Sequence, residues 1–201
     1  KGKDAETVIF NVRAEEVSVT FDVQGGSLGT AKSTKSVRKE TAIGTLPKPV
    51  RTGYMFNGWY TKASGGTKVT AKTKVTKDVT YYAQWTANKY TIKFNANGGT
   101  GTMKSLAATY GKSVTLTANA FKRTNYTFLG WATKKDATAA AYANKAKVKN
   151  LSSKSGGTAT LYAVWKQNTY TVKFSANGGE GGTVKQTVGC GTKTALTTNV
   201  F

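Results

Sequence analysis

The chain has 201 residues, 38% of them apolar, and carries 30 Lys and Arg against 9 Asp and Glu, a formal net charge of +21. It has no histidine and one cysteine, Cys190, which excludes a Ser-His-Asp triad, a Cys-His pair, a histidine metal site and an internal disulfide. No apolar run approaches the roughly 18 residues of a membrane-spanning helix, and 34 Thr and 17 Val against 8 Leu favour strands. We therefore expect a mostly β protein that is not an enzyme, binds no metal or cofactor and does not insert into a membrane.

The first motif that recurs is an alternating strand followed by a glycine turn. Val19–Gly26 (VTFDVQGG) returns as Ile92–Gly99 (IKFNANGG) and again as Val172–Gly179 (VKFSANGG). Apolar and polar residues alternate before the turn, which is typical of a strand with one buried face. The Asn-Gly-Gly that ends the second copy can supply the positive φ values of a tight hairpin turn.

Two further motifs complete the repeating unit. Gly53–Thr61 (GYMFNGWYT) returns 72 positions later as Asn125–Thr133 (NYTFLGWAT) and predicts a turn followed by an aromatic strand. Thr80–Trp85 (TYYAQW) returns 80 positions later as Thr160–Trp165 (TLYAVW) and predicts the last strand of the unit.

Helical signal is weak throughout the chain. The two short candidates are Ser105–Thr109 and Thr138–Ala143. Each unit is therefore predicted to be a four-stranded, Greek-key or grasp-like sheet with at most one short helix, a mostly β or α+β fold.

The order of the motifs divides the chain into repeats of about 75 residues. Residues 7–21 align without a gap with residues 160–174, so the start of the chain resembles the end of a unit, and we expect a segment of a longer tandem array. The predicted division is 1–16 as the last strand of a preceding unit or a linker, 17–87 as repeat domain 1, 88–167 as repeat domain 2, and 168–201 as the N-terminal half of a third, incomplete repeat.

The connections between repeats are short. Only residues 86–89 and 166–169 separate the last tryptophan of one unit from the first strand of the next. Four residues span at most about 14 Å, so neighbouring units are expected to form an elongated rod with limited bending.

The motifs VxFxANGG, GYxFxGWxT and TLYAxW, in this order and at this spacing, resemble the Listeria–Bacteroides repeat, which is also the type of the B-repeat of internalin B. The resemblance covers residues 17–167 as two full copies and 169–201 as most of a half copy. The departures are VQGG in repeat one and extra residues in repeat two, where Trp131 and Trp165 lie 34 positions apart against 26 for Trp59 and Trp85.

The resemblance implies a fold and a location. The fold implied is β-grasp-like, related in shape to ubiquitin-like modifiers. The location implied is extracellular, in a bacterial protein that is attached to the cell surface or secreted, and in which the repeats act as a stalk or an interaction module. The family brings no catalytic residues to carry over.

The basic charge belongs to the repeats: residues 17–89 hold 12 basic and 3 acidic side chains, and residues 90–166 hold 12 and 1. The candidate polyanion-binding residues alternate along two stretches that would present one face if extended: Lys68, Lys72 and Lys74, and Lys145, Lys147 and Lys149. Such rows attract teichoic acid, sulfated glycosaminoglycan or nucleic acid through counterion release. They also suit a solvated outer face that protects edge strands, and the dispersed positions of the lysines, without an arginine cluster, favour this second interpretation.

The tryptophans and the cysteine have simpler interpretations. Trp59, Trp85, Trp131 and Trp165 could form a stacking platform, but their place in strands with apolar partners favours core packing. Cys190 aligns with Tyr110 and is expected to be a buried apolar residue rather than a reactive thiol.

The leading hypothesis is a non-enzymatic cell-surface or secreted repeat segment that acts as a spacer and as an adhesion or protein-interaction module. The alternative is a polyanion-binding module that uses the lysine rows. The expected partners are neighbouring repeats of the same chain together with cell-wall or host-surface polyanions or a host protein. Nucleic acid is the least favoured ligand, because no nucleic-acid motif is present.

Overall fold

The computed structural model describes residues 14–181 and 183–198, and within these ranges it contains thirteen β-strands and no helix. The chain divides into two compact units at the bond between Ala87 and Asn88. The predicted strand in residues 1–16 lies almost wholly outside the described residues. The expectation of a mostly β protein is confirmed.

The first unit is a five-stranded mixed sheet. Its strands are β1 (Glu16–Asp22), β2 (Thr34–Arg38), β3 (Tyr54–Tyr60), β4 (Lys68–Val69) and β5 (Val79–Ala87). They lie side by side in the order β2-β1-β5-β3-β4. The central pair, β1 and β5, is parallel with Val19 opposite Val79, and the other pairs are antiparallel.

One face of this sheet is buried because apolar residues alternate along its strands. Val17, Val19 and Phe21 of β1 are all less than a tenth exposed. The Phe21 ring lies 4.8 Å from the indole of Trp59, which is itself only 1% exposed. Burying a side chain of this size stabilises the folded state by about 1.5–3 kcal/mol. Burial of these residues therefore determines which face of the sheet lies against the core.

The second unit holds the next repeat and the start of a third. Its strands are β6 (Lys89–Asn95), β7 (Leu106–Thr109), β8 (Ser113–Thr115), β9 (Tyr126–Ala132), β10 (Lys147–Lys149), β11 (Thr158–Gln167), β12 (Thr169–Phe174) and β13 (Val184–Gly189). They form a sheet in the order β7-β6-β11-β9 and two pairs, β10-β8 and β12-β13. As in the first unit, the first and last strands of the repeat, β6 and β11, are parallel neighbours.

The core of repeat two copies that of repeat one. Ile92, Leu161 and Trp131 are 0% exposed. The Phe94 ring packs 4.9 Å from Trp131, as Phe21 packs on Trp59. The period-2 motifs of the sequence therefore correspond to the same inner face in both repeats.

The crossing from β2 to β3 is an irregular segment. Its backbone groups pair with the segment after β4: Ile43 N–H donates to Thr73 O at 2.9 Å, and Val75 N–H donates to Thr41 O at 3.2 Å. Ile43 is 1% exposed and belongs to the core. Backbone groups that a helix would pair internally are thus satisfied by a second segment of chain.

Both short helix candidates of the sequence have other structures. Residues 105–109 contain β7, whose Ala108 pairs with Tyr90. Residues 138–143 contain bends and an isolated bridge between Tyr142 and Trp131. Pairing with a neighbouring strand outweighs the weak helical preference of alanine-rich segments as short as these.

The extra residues of repeat two lie mainly in the loop before β11. Backbone groups of this loop extend the parallel pairing with β6, because Thr91 N–H donates to Gly157 O at 2.9 Å. In repeat one the corresponding donor, Ser18 N–H, bonds instead to the carboxylate of Asp78 at 2.7 Å. The backbone N–H at this position is thus satisfied by a side chain in repeat one and by the backbone of the longer loop in repeat two.

The third copy contributes a hairpin, β12 and β13, that packs within the second unit. Val188 is 5% exposed, but Tyr170 is 52% exposed, whereas its counterpart Tyr90 is 3% exposed. Among the described residues no last strand lies beside β12 as β11 lies beside β6, which explains the difference in exposure. In the part of the chain that the structure describes, no segment forms a helix that is long and apolar enough to span a bilayer.

Candidate polyanion-binding surface

The lysine row of repeat two lies partly on one strand. Lys147 and Lys149 are exposed on β10 and flank Val148, which is 3% exposed and points to the core. They lie opposite Thr115 and Ser113 of β8. Alternation along a strand places both ammonium groups on the outer face, as the sequence predicts for these two residues.

Lys145 precedes this strand in a turn. Its φ is +60°, and its side chain is exposed. The positive φ breaks the extended backbone that a three-residue row would need, so Lys145 lies beside the row rather than in it.

The lysines of repeat one do not form one row. Lys68 is on β4, Lys72 is in the turn that follows, and Lys74 makes an isolated bridge to Ala42. All three are exposed. A Cβ placed on Gly58 would lie 2.6 Å from Cε of Lys68, so this side chain covers β3 and is separated from the other two by the turn.

Few acidic groups neutralise these lysines. The one ion pair within residues 14–181 and 183–198 joins Lys39 to Glu15 at 2.9 Å, and the hydrogen bond and charge of Glu15 raise the pKa of Lys39. Residues 90–166 contain a single acidic residue, Asp136. The outer face of β10 therefore carries positive charge without a carboxylate partner, which favours anionic polymers.

The tryptophans fall into two classes. Trp59 and Trp131 are buried to 1% and 0% exposure, as the sequence predicts for core residues. Trp85 and Trp165 are only partly buried, and their indole N–H groups donate to backbone oxygens in the first hairpin turn of their repeat, at 3.0 and 2.8 Å.

An arginine stacked on a tyrosine occupies the same place in both repeats. The guanidinium carbon of Arg51 lies 4.0 Å from the ring centre of Tyr54, and that of Arg123 lies 3.8 Å from the ring centre of Tyr126. Such contacts contribute about 0.5–1 kcal/mol at partly exposed sites. Sequence reasoning missed this feature, although the shared spacing Arg-x-x-Tyr is visible in both copies.

Two clefts of repeat one meet at this stacked pair. The first, of about 540 Å³, is lined by residues that include Val50, Arg51, Tyr54 and Trp85. The second, of about 480 Å³, shares Arg51, Tyr54 and Trp85 and is lined otherwise mostly by polar residues. Neither cleft is lined by an acidic residue.

Cys190 is less buried than the sequence predicts. Cys190 is a free thiol of intermediate exposure, and its backbone N–H donates to Asn168 O at 2.8 Å. Within the described ranges, no three His, Cys, Asp or Glu residues come together as a metal site would require.

Comparison with known proteins identifies the family. The model of the Listeria-Bacteroides repeat domain matches residues 18–84 and again residues 90–164. The chain belongs to this family and contains two matched copies of its repeat.

Three relatives place the repeat in longer proteins. The chain is 30% identical over 185 residues, 89% of its length, to a protein of Evansella cellulosilytica named "Putative Gly-rich membrane protein". It is 32% identical over 167 residues, 81% of its length, to a second protein of this organism named "Putative membrane protein". It is 34% identical over 119 residues, 58% of its length, to internalin H of Listeria monocytogenes. The chain spans only about a fifth of the length of each of these proteins, 20%, 23% and 20% respectively.

Proposed function

We propose that this chain is a non-enzymatic repeat segment of a bacterial cell-surface or secreted protein and serves as a spacer that also makes adhesive or protein contacts. The observation that carries the proposal is the duplication of a whole sheet with its core, including the Phe21–Trp59 and Phe94–Trp131 pairs. A repeated unit without a catalytic constellation adds length and repeated weak contacts rather than chemistry.

The strand order supports a β-grasp-like fold for the repeat. A mixed sheet in the order 2-1-5-3-4, with parallel first and last strands at its centre, is the arrangement of that fold. The irregular crossing between β2 and β3 takes the place of the helix that the fold usually has there.

Short connections support a rod. β5 ends at Ala87 and β6 begins at Lys89, and likewise β11 ends at Gln167 and β12 begins at Thr169. One residue between strands leaves little freedom for a hinge. The relatives named as membrane proteins, and internalin H, support an extracellular location at the cell surface.

Small-angle X-ray scattering of the chain tests the rod. A compact protein of this length would have a radius of gyration of about 16–17 Å. We expect a clearly larger value and the linear cross-section plot of a rod. A radius near the compact value would contradict the spacer proposal.

The second candidate function is polyanion binding, favoured by the uncompensated outer face of β10. The partner would be a cell-wall or host-surface polyanion. Replacing Lys147 and Lys149 by Gln is expected to weaken binding to lipoteichoic acid and to heparan sulfate, and to lower the slope of affinity against salt by about one unit per lysine that contacts the polymer. The matched control is Lys72→Gln with Lys74→Gln in repeat one. Unchanged affinity in the β10 variant would show that these lysines keep the outer face solvated and do not bind the polymer.

A further inference from the structure

We propose that the clefts of repeat one that meet at Arg51, Tyr54 and Trp85 bind one unit of an acidic polysaccharide: a pyranose ring that carries a carboxylate or sulfate group. This inference deepens polyanion binding, the second candidate function, and rests on it. It assigns binding to a shaped site rather than to the lysines of β10.

The guanidinium group of Arg51 is held in place before any ligand arrives. It lies 4.0 Å above the Tyr54 ring, and its Nη1 donates to Gln24 O at 2.9 Å. A Cβ placed on Gly25 would lie 3.5 Å from the guanidinium carbon, so the turn also packs against this group. The remaining N–H groups of Arg51 make no hydrogen bond to the described residues of the protein, and a planar guanidinium with spare donors suits a carboxylate or sulfate.

The protein also holds the indole of Trp85 in one position. Its Nε1–H donates to Val23 O at 3.0 Å. Its six-membered ring lies against Gly26, where a Cβ would come within 2.5 Å of Cζ2. Because the ring is only partly buried and lines both clefts, it offers an aromatic surface to the apolar C–H face of a sugar ring at low entropic cost.

The chemistry of the lining selects an acidic sugar among polyanions. Arg51 is the single charged residue in each cleft, so the site matches one anionic group beside an aromatic surface. A backbone with a phosphate in every unit and no sugar ring would leave Trp85 unused. A nucleic acid needs cations spaced along its backbone, which these clefts lack.

Val50 provides a test that leaves the core intact. Its side chain lines the first cleft and is 70% exposed, and the corresponding residue of repeat two is Lys122. Val50→Glu places a carboxylate beside the Arg51 guanidinium and is expected to weaken binding of an acidic oligosaccharide about tenfold. Val50→Lys is expected to strengthen it several-fold.

The matched control is Met55→Glu. Met55 is 56% exposed and lines neither cleft. Met55→Glu therefore adds the same charge at an exposed position close in sequence to Val50 but outside the clefts. Binding of the whole chain would be measured at physiological salt, by calorimetry and by the shift of the Trp85 indole N–H signal in NMR. The probes are an unsulfated uronate-containing hexasaccharide, a sulfated hexasaccharide, a neutral hexasaccharide and polyphosphate.

The expected result is a shift of the Trp85 signal with one or both acidic hexasaccharides, at about tenfold lower affinity in Val50→Glu and at unchanged affinity in Met55→Glu. The two acidic probes decide between carboxylate and sulfate. Equal binding of polyphosphate or of the neutral sugar, no binding of either acidic probe, or no effect of Val50→Glu would overturn the proposal. If Val50→Glu has no effect while the glutamine variant of Lys147 and Lys149 loses binding, polyanion binding stands and only the cleft is refuted.

Discussion

Two tryptophans at the same position of the repeat differ by one hydrogen bond. The indole N–H of Trp59 donates to Pro47 O at 2.8 Å. The indole N–H of Trp131 is buried without an acceptor among the described residues. An unsatisfied buried donor costs about 1–3 kcal/mol, so the two rings contribute unequally to their repeats although both fill the core.

Replacing each ring by phenylalanine tests this difference. Trp59→Phe removes a satisfied donor and Trp131→Phe removes an unsatisfied one, so Trp59→Phe is expected to destabilise its repeat by about 1 kcal/mol more. Hydrogen–deuterium exchange of the whole chain, read separately for peptides of each repeat, measures the two effects. A larger loss of protection in the Trp131 variant would refute the hydrogen-bond account.

Burial of Tyr81 is expected to make the first repeat sensitive to alkali. Burial raises its pKa above the ordinary value of about 10, so the folded state favours the neutral phenol. The stability that the neutral Tyr81 side chain contributes is therefore fully present below about pH 10. It is lost as the pH rises through the higher pKa that Tyr81 has in the folded state. The counterpart in repeat two is Leu161, which cannot ionise.

Tyr81→Phe should abolish that sensitivity. We expect the variant to match the original chain near neutral pH and to lose less stability above pH 10, with the change confined to repeat one. Thermal unfolding monitored by circular dichroism across pH 7–11, supported by exchange data for each repeat, measures it. An alkaline loss that persists in Tyr81→Phe would assign the effect to another group.

At the scale of the element, a glycine decides how the first hairpin turn meets the last strand. A Cβ placed on Gly26 would lie 2.5 Å from Cζ2 of Trp85, and one on Gly99 would lie 2.8 Å from Cζ2 of Trp165. Neither glycine has a positive φ. Glycine is needed here because the backbone packs closely against the indole, and at Gly99 also against Lys122 O at 2.8 Å, and not because of a positive φ.

Gly26→Ala is therefore expected to destabilise repeat one by about 1–3 kcal/mol through overpacking. The third copy supplies the control, because Gly179 has the same place in the motif and the nearest atom to its Cβ would be Ala176 O at 3.2 Å. Gly179→Ala should change stability by no more than about 0.5 kcal/mol. Similar losses in both variants, measured by chemical denaturation, would contradict the packing argument.

Sequence reasoning recovered the elements whose pattern is local. Alternation in β1 and β6, and the aromatic motifs of β3 and β9, predicted strands and an inner face because period-2 patterns are read from neighbouring residues. It did not locate β2, β4, β7, β8, β10 or β13. These strands have two to six residues, and their positions depend on pairing with strands elsewhere in the fold.

The candidate site was recovered only in part, for a similar reason. Lys147 and Lys149 share a face, as expected if their stretch is a strand, but the left-handed backbone of Lys145 and the turn after Lys68 are set by loop geometry. The clefts around Arg51 were not predicted, because they form where segments far apart in the sequence meet.

At the scale of the whole molecule, repetition is the feature that connects structure to function. Each complete repeat has one main sheet and one fully buried tryptophan, Trp59 or Trp131, and a single residue separates its last strand from the next strand. A spacer requires that successive repeats keep a fixed distance, whereas independent domains on a flexible string would not. The spacer proposal therefore requires a rigid array.

The measurement that tests it most directly is the distribution of distances between two spin labels, one in each complete repeat. Thr76→Cys and Ser155→Cys, both exposed, would carry the labels in a chain with Cys190→Ala, which removes the native thiol. A rigid spacer is expected to give a single narrow distance distribution when the labels are measured by pulsed electron paramagnetic resonance. A broad distribution extending over tens of ångströms would contradict it and leave the repeats as independently moving binding units.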